Sequence, residues 1–376
     1  MIPEGWREAK IREVAKIDVG RDLVEDRFSR AKTDTHTYPI YSNTVEAQGL
    51  YGFYNFPEYT TESVTLVGRG IGLGTAFARR KPFGAIGRLL VISAKSGSFD
   101  VGYLADYFNN RFRLHYESGG IPQLPGKTLG NYSVLLPPYP EQVQISKILQ
   151  TWDSAIETVE ALIANAREQK QALMQQLLPR GATPPKKRLP GFSGEWREAK
   201  LGSLADVSKG EQKGRASLAE EGPVPVINGG ITPSGYTDHP NTSADTITIS
   251  EGGNSCGYVD LITQPFWCGG HCYALKNLKI ERDYLFAVLK HRERQIMSLR
   301  VGSGLPNIQK KALSQFSIPV PPKSEQVKIG ELAACADREI AGHQSQLTAL
   351  RQEKAALMQQ LLTGKRRVKL PESENA

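Results

Sequence analysis

The chain has 376 residues, of which 39% are hydrophobic and 23% charged, and its formal net charge is +8 at pH 7. These proportions are ordinary for a globular protein, and the length predicts two or three domains rather than one core. No apolar run approaches the roughly 18 residues that a membrane-spanning helix needs, and the N-terminus has no signal-peptide pattern. The four cysteines, three of them between Cys256 and Cys272, form no disulfide framework. We therefore expect a cytoplasmic protein.

The positive charge favours an anionic partner, and nucleic acid is the first candidate. The excess of lysine and arginine is spread thinly along the chain and forms no basic tail. Any binding face must therefore be created by folding. A mildly basic protein that binds no nucleic acid is the alternative that charge alone leaves open.

The first globular segment is predicted to span residues 1–140. A β-branched run ends in a glycine-rich turn at Ser63–Gly70, an amphipathic helical pattern covers Gly102–Phe108, and a last strand is expected at Tyr132–Leu136. Short strands mixed with a helix predict an α+β domain with mixed sheets.

A long helix follows, with predicted bounds 141–180. Apolar residues from Ile145 through Trp152 and Ile156 to Leu177 recur at alternating steps of four and three, which is the heptad seam of a helix packed along another helix. Such a helix of about 38 residues rises roughly 57 Å. The composition of residues 181–193 is that of a linker.

The second half of the chain repeats this order. Trp6 and its neighbours recur around Trp196 at an offset of 190 residues, and Glu141–Leu178 recurs as Glu325–Leu362 at an offset of 184. Both helices close with the sequence Ala-Leu-Met-Gln-Gln-Leu-Leu. The sequence therefore predicts a tandem duplication, with a second globular segment at 194–324 and a second helix with a basic tail at 325–376.

Two further features of the helices carry predictions. Ser324 is expected to be the N-cap of the second helix. Lys170 and Lys354 occupy the same position on the two apolar seams, where we expect each ammonium group to extend to solvent. The alternatives are that these lysines fix the helix register or meet an acidic group of a partner.

Three motifs with catalytic or ligand-binding associations are rejected. In place of the glycine loop at Val67–Gly74 the repeat carries Ser250-Glu-Gly-Gly-Asn-Ser, and no acidic residue follows at a suitable distance, so we expect a strand-end turn rather than a nucleotide site. Leu136-Pro-Pro-Tyr lacks the polar first residue that an amino-methyltransferase motif needs. Cys256, Cys268, His271 and Cys272 fit no common zinc spacing. No catalytic constellation occurs in both halves, so we predict a non-enzymatic protein with no cofactor and no metal.

The repeated Trp-Arg-Glu-Ala-Lys starts, the Ala-Leu-Met-Gln-Gln-Leu-Leu helix ends and the Gly364–Val368 tail resemble those of type I restriction–modification specificity subunits. The resemblance covers nearly the whole chain. It implies that each globular segment is a target-recognition domain for one half of a bipartite double-stranded DNA sequence. It also implies that the helices pack antiparallel as a spacer and bind two methyltransferase subunits, and that restriction subunits join the complex.

Reading base edges requires polar side chains on loops, although each candidate could also be an ordinary solvated loop residue. The candidates in the two domains are Tyr41, Ser42, Asn43, Arg69, Gln123, Lys127, Asn228, Glu251, Asn254, Asn307, Lys310 and Lys311. Arg79, Arg80 and Lys81 are the candidates for phosphate contacts. The helix residues expected to bind partner subunits are Ile145, Trp152, Ile156, Lys170, Ile329, Ile340 and Lys354.

Other functions remain open at this point. The chain could serve a methylation-only or type IIB-like system. A solitary adenine methyltransferase and a coiled-coil scaffold that binds no DNA are further alternatives, which S-adenosylmethionine binding and a gel shift would distinguish.

Overall fold

The structure is a computed structural model that describes residues 2–112, 122–179, 185–302, 304 and 306–370. The chain divides into two compact units, Met1–Thr158 with Leu347–Ala376, and Val159–Gln346. Each unit contains one predicted globular segment and parts of both long helices. The start of the predicted linker, 181–184, and the end of the predicted tail, 371–376, lie outside the described residues.

The first unit contains short strands, short helices and the start of a long helix. In chain order these are β1 (Arg7–Lys10), α1 (Ile11–Val14), β2 (Ala15–Val19), a 3-10 turn (Glu25–Arg27), β3 (Phe28–Ser29), β4 (Tyr38–Tyr41), a second such turn (Glu46–Gly49), β5 (Leu50–Tyr54), β6 (Ser63–Leu66), β7 (Ala76–Arg79), β8 (Gly84–Ala85), β9 (Leu90–Ala94), α2 (Val101–Arg111), α3 (Gly126–Gly130), β10 (Ser133–Leu136) and α4 (Tyr139–Leu177).

In the described part of the first unit, one four-stranded sheet has the order β2-β9-β6-β7 and a second has the order β3-β5-β4-β8. The second sheet is mixed, because β4 and β8 pair in parallel, and β1 pairs with β10 separately. All of β6 is buried, which explains its continuous β-branched run. Helix α2 packs on β6 and β7, and the carboxylate of Asp100 caps it by accepting from Tyr103 N at 2.9 Å.

The second unit contains the end of α4 and the elements that follow it. These are β11 (Arg197–Lys200), α5 (Leu201–Leu204), β12 (Asp206–Lys209), a 3-10 turn (Arg215–Ser217), β13 (Val224–Ile227), β14 (Tyr236–Thr237), β15 (Thr246–Ser250), β16 (Val259–Ile262), β17 (Trp267–Cys268), β18 (Cys272–Lys276), α6 (Arg282–His291), α7 (Glu293–Met297), α8 (Lys310–Ser314), β19 (Ser317–Val320) and α9 (Lys323–Leu361).

The sheets of the second unit repeat those of the first. Among the described residues, the strand order β12-β18-β15-β16 corresponds to β2-β9-β6-β7, and β14-β13-β17 corresponds to β5-β4-β8, with β13 and β17 again parallel. The β11–β19 pair corresponds to β1–β10. The predicted α+β fold with duplicated domains and long helices is confirmed.

Each long helix starts two residues earlier than the repeated sequence suggested. The carbonyl oxygen of Pro322 accepts from Glu325 N and Gln326 N at 2.9 and 3.0 Å, so α9 already begins at Lys323. The prediction that Ser324 is the N-cap was therefore wrong, because this serine lies inside the first turn. Equivalent glutamine side chains stabilise the N-termini of both long helices. Gln142 Nε2 and Gln326 Nε2 each donate at 2.9 Å to the carbonyl oxygen of a preceding proline.

The repeated closing sequence of each helix packs into the unit in which that helix ends. Met174, Leu177 and Leu178 at the end of α4 belong to the core of the second unit. Met358, Leu361 and Leu362 at the end of α9 belong to the core of the first. Each unit also holds the start of the other helix, and within each unit the two helices run antiparallel. This packing explains why the same apolar sequence occurs at both helix ends.

The two seam lysines do not extend to solvent. Lys170 Nζ binds Asp337 Oδ1 at 2.5 Å within the second unit, and Lys354 Nζ binds Asp153 Oδ1 at 2.5 Å within the first. Their side chains are only 18% and 16% exposed. The two pairs are equivalent, because Asp153 and Asp337 are also related by the offset of 184 residues. The expected extension to solvent was wrong, since each lysine meets a carboxylate of the opposite helix.

Asp106 on α2 gives the first unit a pH dependence. Burial is the largest cause that raises the pKa of Asp106; Lys354 lowers it, Asp153 and Asp100 raise it, and the resulting pKa is about 7. Between the ordinary pKa of 3.8 and about 7, the folded state holds a proton that the unfolded chain has lost. The free energy of unfolding therefore falls as the pH rises through this window and stays low above it.

We expect Asp106→Asn to stabilise the first unit at pH 8 by about 1–2 kcal/mol, less than the full shift implies because the carboxyl group keeps some solvent contact. At pH 5 the gain should be small. Urea unfolding of the full chain at the two pH values measures this difference. An equal gain in the free energy of unfolding at pH 5 and pH 8 would contradict the assignment to Asp106.

The second unit has no equivalent carboxylate. Ala287 follows Tyr284 by three residues, at the position where Asp106 follows Tyr103 in the first unit. The Asp106→Asn substitution should therefore leave amide hydrogen exchange in the second unit unchanged.

Candidate nucleic-acid interface

The loop between β6 and β7, residues 67–75, brings three of the predicted recognition residues together. Arg69 pairs with Gln123 in an antiparallel bridge, and Asn43 holds the same loop from the end of β4. Asn43 Nδ2 donates to Arg69 O at 2.6 Å, and its Oδ1 accepts from Gly68 N at 2.7 Å. Both ends of this amide are thus used by backbone, so Asn43 fixes the loop and is a poor candidate for a base contact. Gln123 is exposed and Arg69 is half-buried.

The neighbouring predicted residues also have partners within the domain. The ring of Tyr41 lies 3.4 Å from the guanidinium carbon of Arg79, measured to the ring centroid. Ser42 Oγ donates to Gly49 O at 3.3 Å. Both side chains are half-buried. Each therefore packs within the domain and leaves only part of its surface for a DNA contact.

Arg79 is a poor candidate for the phosphate contact expected from the sequence. Its side chain is buried, Nε donates to Thr65 Oγ1 at 2.9 Å, and Nη2 donates to Gln48 O at 2.5 Å. Burial lowers the pKa of Arg79 to about 10, which still leaves it charged at neutral pH. Arg80 is exposed but pairs with Glu62 and Asp100 at 3.0 and 3.1 Å, whereas Lys81 is exposed.

In the second domain, the predicted residues Glu251 and Asn228 meet around His271. Glu251 is 13% exposed, and its Oε1 accepts from Lys209 Nζ at 2.5 Å and from Tyr273 OH at 3.2 Å. Its Oε2 lies 3.6 Å from His271 Nδ1. Burial and the Glu251 carboxylate together raise the pKa of Tyr273 to about 12. Asn228 Oδ1 accepts from His271 N at 3.0 Å.

The sequence pattern missed Lys209 and His271 as members of this cluster. From its sequence neighbours Cys268 and Cys272, His271 suggests only a metal ligand. These two cysteines and Cys256 are buried, and no group of three or more metal-ligating side chains is assembled in the described part of the chain. The two glycines directly before this histidine, Gly269 and Gly270, lie between β17 and β18 and were the available signal for a surface loop.

The remaining candidates are exposed polar or basic side chains. Asn254 lies in the loop between β15 and β16, and Asn307 pairs with Gly252 in the bridge that corresponds to Arg69–Gln123. Lys127 on α3 corresponds to Lys311 on α8, with Lys310 beside it, and these three lysines are exposed. Such side chains suit the phosphate contacts that position a protein on DNA.

The predicted partner-binding residues on the helices fall into separate groups. Ile145 and Ile329 are 0% and 1% exposed and belong to the cores of their units, so they attach the helices to the domains and cannot face another subunit. Trp152, Ile156 and Ile340 are half-buried and keep exposed surface. The other two residues are the paired lysines Lys170 and Lys354. In addition, no helix in the described ranges has both the length and the apolar character needed to cross a membrane.

Comparison with known proteins places the chain in a family. The family model described as "Type I restriction modification DNA specificity domain" matches residues 3–167 and 193–350. A provisionally named type I specificity subunit of Mycoplasma pneumoniae is 38% identical over 128 residues, which are 33% of this chain and 34% of that protein. The specificity subunit of the type I restriction enzyme MjaVIII from Methanocaldococcus jannaschii is 26% identical over 279 residues, 66% of each chain.

The fold is also shared with a solved structure. The crystal structure of a type I restriction–modification S subunit from M. genitalium matches with a TM-score of 0.75 and 19% identity, and the match covers 96% of each chain. The family model covers most of the chain and spans both globular segments. The chain therefore belongs to the type I restriction–modification specificity family.

Proposed function

We propose that this chain is the non-catalytic DNA-binding subunit of a type I restriction–modification complex. Each globular domain reads one half of a bipartite double-stranded target, and helices α4 and α9 bind two methyltransferase subunits, which restriction subunits then join. Family membership supports the class of function.

One observation carries the bipartite part of the proposal. The two domains share the same strand order, yet the residues on the loops that follow the equivalent strands β6 and β15 differ. Arg69 pairs with Gln123 at one loop, whereas Gly252, next to Glu251, pairs with Asn307 at the other. A shared framework with unlike polar groups suits two domains that read unlike sequences.

The surface of the helices supports the partner role. Trp152 and Ile156 on α4 keep exposed area beside the buried seam, and a half-exposed tryptophan is a common anchor of protein interfaces. Trp152 corresponds to Ala336 on α9. The two helices therefore do not offer the same side chain at this position.

The test is to co-express the chain with its methyltransferase subunit and to sequence the methylated adenines of the host DNA. We expect a motif of two specified parts separated by unspecified bases, and no motif when the methyltransferase subunit is expressed alone. A complex that forms but methylates no defined motif would refute the proposal. A purified single chain that bound S-adenosylmethionine would instead support the solitary methyltransferase.

A second assay separates the restriction system from a methylation-only system. Adding the restriction subunit to the complex should cleave unmethylated DNA that carries the motif. Methylation with no cleavage would favour the methylation-only alternative and leave the DNA-reading role intact.

A further inference from the structure

The two domains build the same loop from different residues. The β6–β7 loop (67–75) and the β15–β16 loop (250–258) correspond at an offset of 183 residues. The same backbone hydrogen bonds hold both. In the first loop these bonds run from Gly70 N to Pro122 O, from Leu124 N to Gly68 O, from Leu73 N to Gly70 O and from Gly74 N to Val67 O. In the second loop the corresponding bonds, in the same order, run from Gly253 N to Pro306 O, from Ile308 N to Glu251 O, from Cys256 N to Gly253 O and from Gly257 N to Ser250 O. All eight have lengths between 2.8 and 3.1 Å.

Glycines make this loop possible in the first domain. Gly70 has a φ of +82°, a backbone conformation that other residues rarely adopt, and the corresponding Gly253 has a φ of +77°. A side chain at Gly72 would collide with Val45, whose Cγ1 lies 2.4 Å from the ideal Cβ position. The loop is therefore fixed in shape, and it leaves its tip residue without a neighbour to pack against.

The residue at that tip is Ile71 in the first domain and Asn254 in the second. Ile71 is 94% exposed, and Asn254 is also exposed. A single exposed aliphatic residue is common on protein surfaces and means little by itself. Here, however, a rigid framework that is conserved between the domains projects an apolar side chain in one copy and an amide in the other.

We propose that Ile71 and Asn254 are equivalent specificity-determining residues, each contacting a base of its own half-site in the major groove. This inference rests on the proposed DNA-reading function. The apolar feature of the major groove is the 5-methyl group of thymine, which suits Ile71. The side-chain amide of Asn254 suits adenine, to which it can donate at N7 and from which it can accept at N6.

The chemistry of the neighbouring residues agrees with this assignment. Arg69 and Gln123 lie beside Ile71, and Gly252 and Asn307 lie beside Asn254, through the equivalent bridges. Arginine, glutamine and asparagine are the side chains that hydrogen-bond purine edges. Each tip therefore stands next to groups able to read adjoining base pairs.

The test uses the complex with the methyltransferase subunit and the target selected from a pool of randomised duplexes. Each thymine of the selected target is then replaced in turn by deoxyuridine, which removes only the methyl group. One replacement in one half-site should weaken binding by the wild-type complex about fourfold, the value expected for one buried methyl group. The Ile71→Ala complex should bind both duplexes equally.

The second tip is tested in the same way. Replacing each adenine by 7-deazaadenine removes the N7 acceptor, and one replacement in the other half-site should weaken wild-type binding by about tenfold. Asn254→Ala should abolish that difference and leave the thymine effect unchanged. Ile2→Ala is the matched control, because Ile2 is a 46% exposed isoleucine in the segment before β1. The Ile2→Ala complex should show both the loss of binding on deoxyuridine replacement and the loss on 7-deazaadenine replacement.

The outcomes distinguish a failure of the proposed function from a failure of the base contacts alone. A wild-type complex that selects no target would overturn the proposed function together with this inference. A selected target with no methyl or N7 dependence, or with the same dependence in the variants, would overturn this inference alone. A uniform loss of affinity in Ile71→Ala, equal for thymine and deoxyuridine, would indicate a wedge between base steps and would likewise overturn the thymine contact.

Discussion

Replacing Leu178 by alanine should destabilise the second unit by about 3–4 kcal/mol and leave the first unit almost unchanged. Leu178 directly follows α4, which begins in the first unit, yet its side chain is 1% exposed in the core of the second. Truncation removes apolar contacts and leaves a cavity, because the strands and helices around it can close only partly. Amide hydrogen exchange on the full chain measures the effect, through the protection of β15 and β18 against that of β6 and β9.

The duplicated chain supplies the matched variant. Leu362 is the equivalent residue after α9 and is 0% exposed in the core of the first unit. Leu362→Ala should therefore reduce protection in β6 and β9 and spare β15 and β18. If Leu178→Ala instead reduced protection mainly in β6 and β9, the assignment of the helix ends to the opposite units would be wrong.

The duplicated architecture could be predicted because it depends on local patterns. Heptad spacing identifies a long helix without any tertiary information, and the recurrence of Trp6 at Trp196 identifies the second domain. The partners of Lys170 and Lys354 could not be found in this way. Asp337 and Asp153 lie 167 and 201 residues away along the chain, and only the packing of one helix on the other brings each carboxylate to its lysine.

The recognition surface was predicted less well, for physical reasons. The sequence shows that Asn43 and Arg79 are polar, but it does not show that backbone groups and burial already satisfy them. Ile71 cannot hydrogen-bond a base edge, so the polar character of loop residues does not identify it. A position-by-position comparison of the two copies identifies Ile71, since the predicted recognition residue Asn254 occupies the equivalent position.

Replacing Glu141 by alanine should destabilise the first unit by about 3 kcal/mol. Its carboxylate is buried at the start of α4 and accepts from Trp6 Nε1 at 3.1 Å and from Arg367 Nε and Nη2 at 2.7 and 2.8 Å. Arg367 is 45% exposed, so it can return to water when its partner is lost. The indole N–H of the buried Trp6 cannot reach water, and a buried hydrogen-bond donor without a partner destabilises the fold. Chemical unfolding of the full chain, followed by amide exchange in each unit, measures the loss.

The equivalent substitution, Glu325→Ala, should destabilise the second unit by about 1 kcal/mol less than Glu141→Ala destabilises the first. Glu325 is also buried and binds Arg188 Nε and Nη2 at 3.0 and 2.7 Å. Trp196, however, does not donate to it, and its Nε1 is buried without a hydrogen-bond partner among the described residues. Glu325→Ala therefore leaves no additional donor unpaired. Glu141→Gln keeps an acceptor for Trp6 and should recover part of the loss. Equal losses for the two alanine variants would show that the tryptophan bond contributes nothing and that the arginine pairs alone stabilise the helix starts.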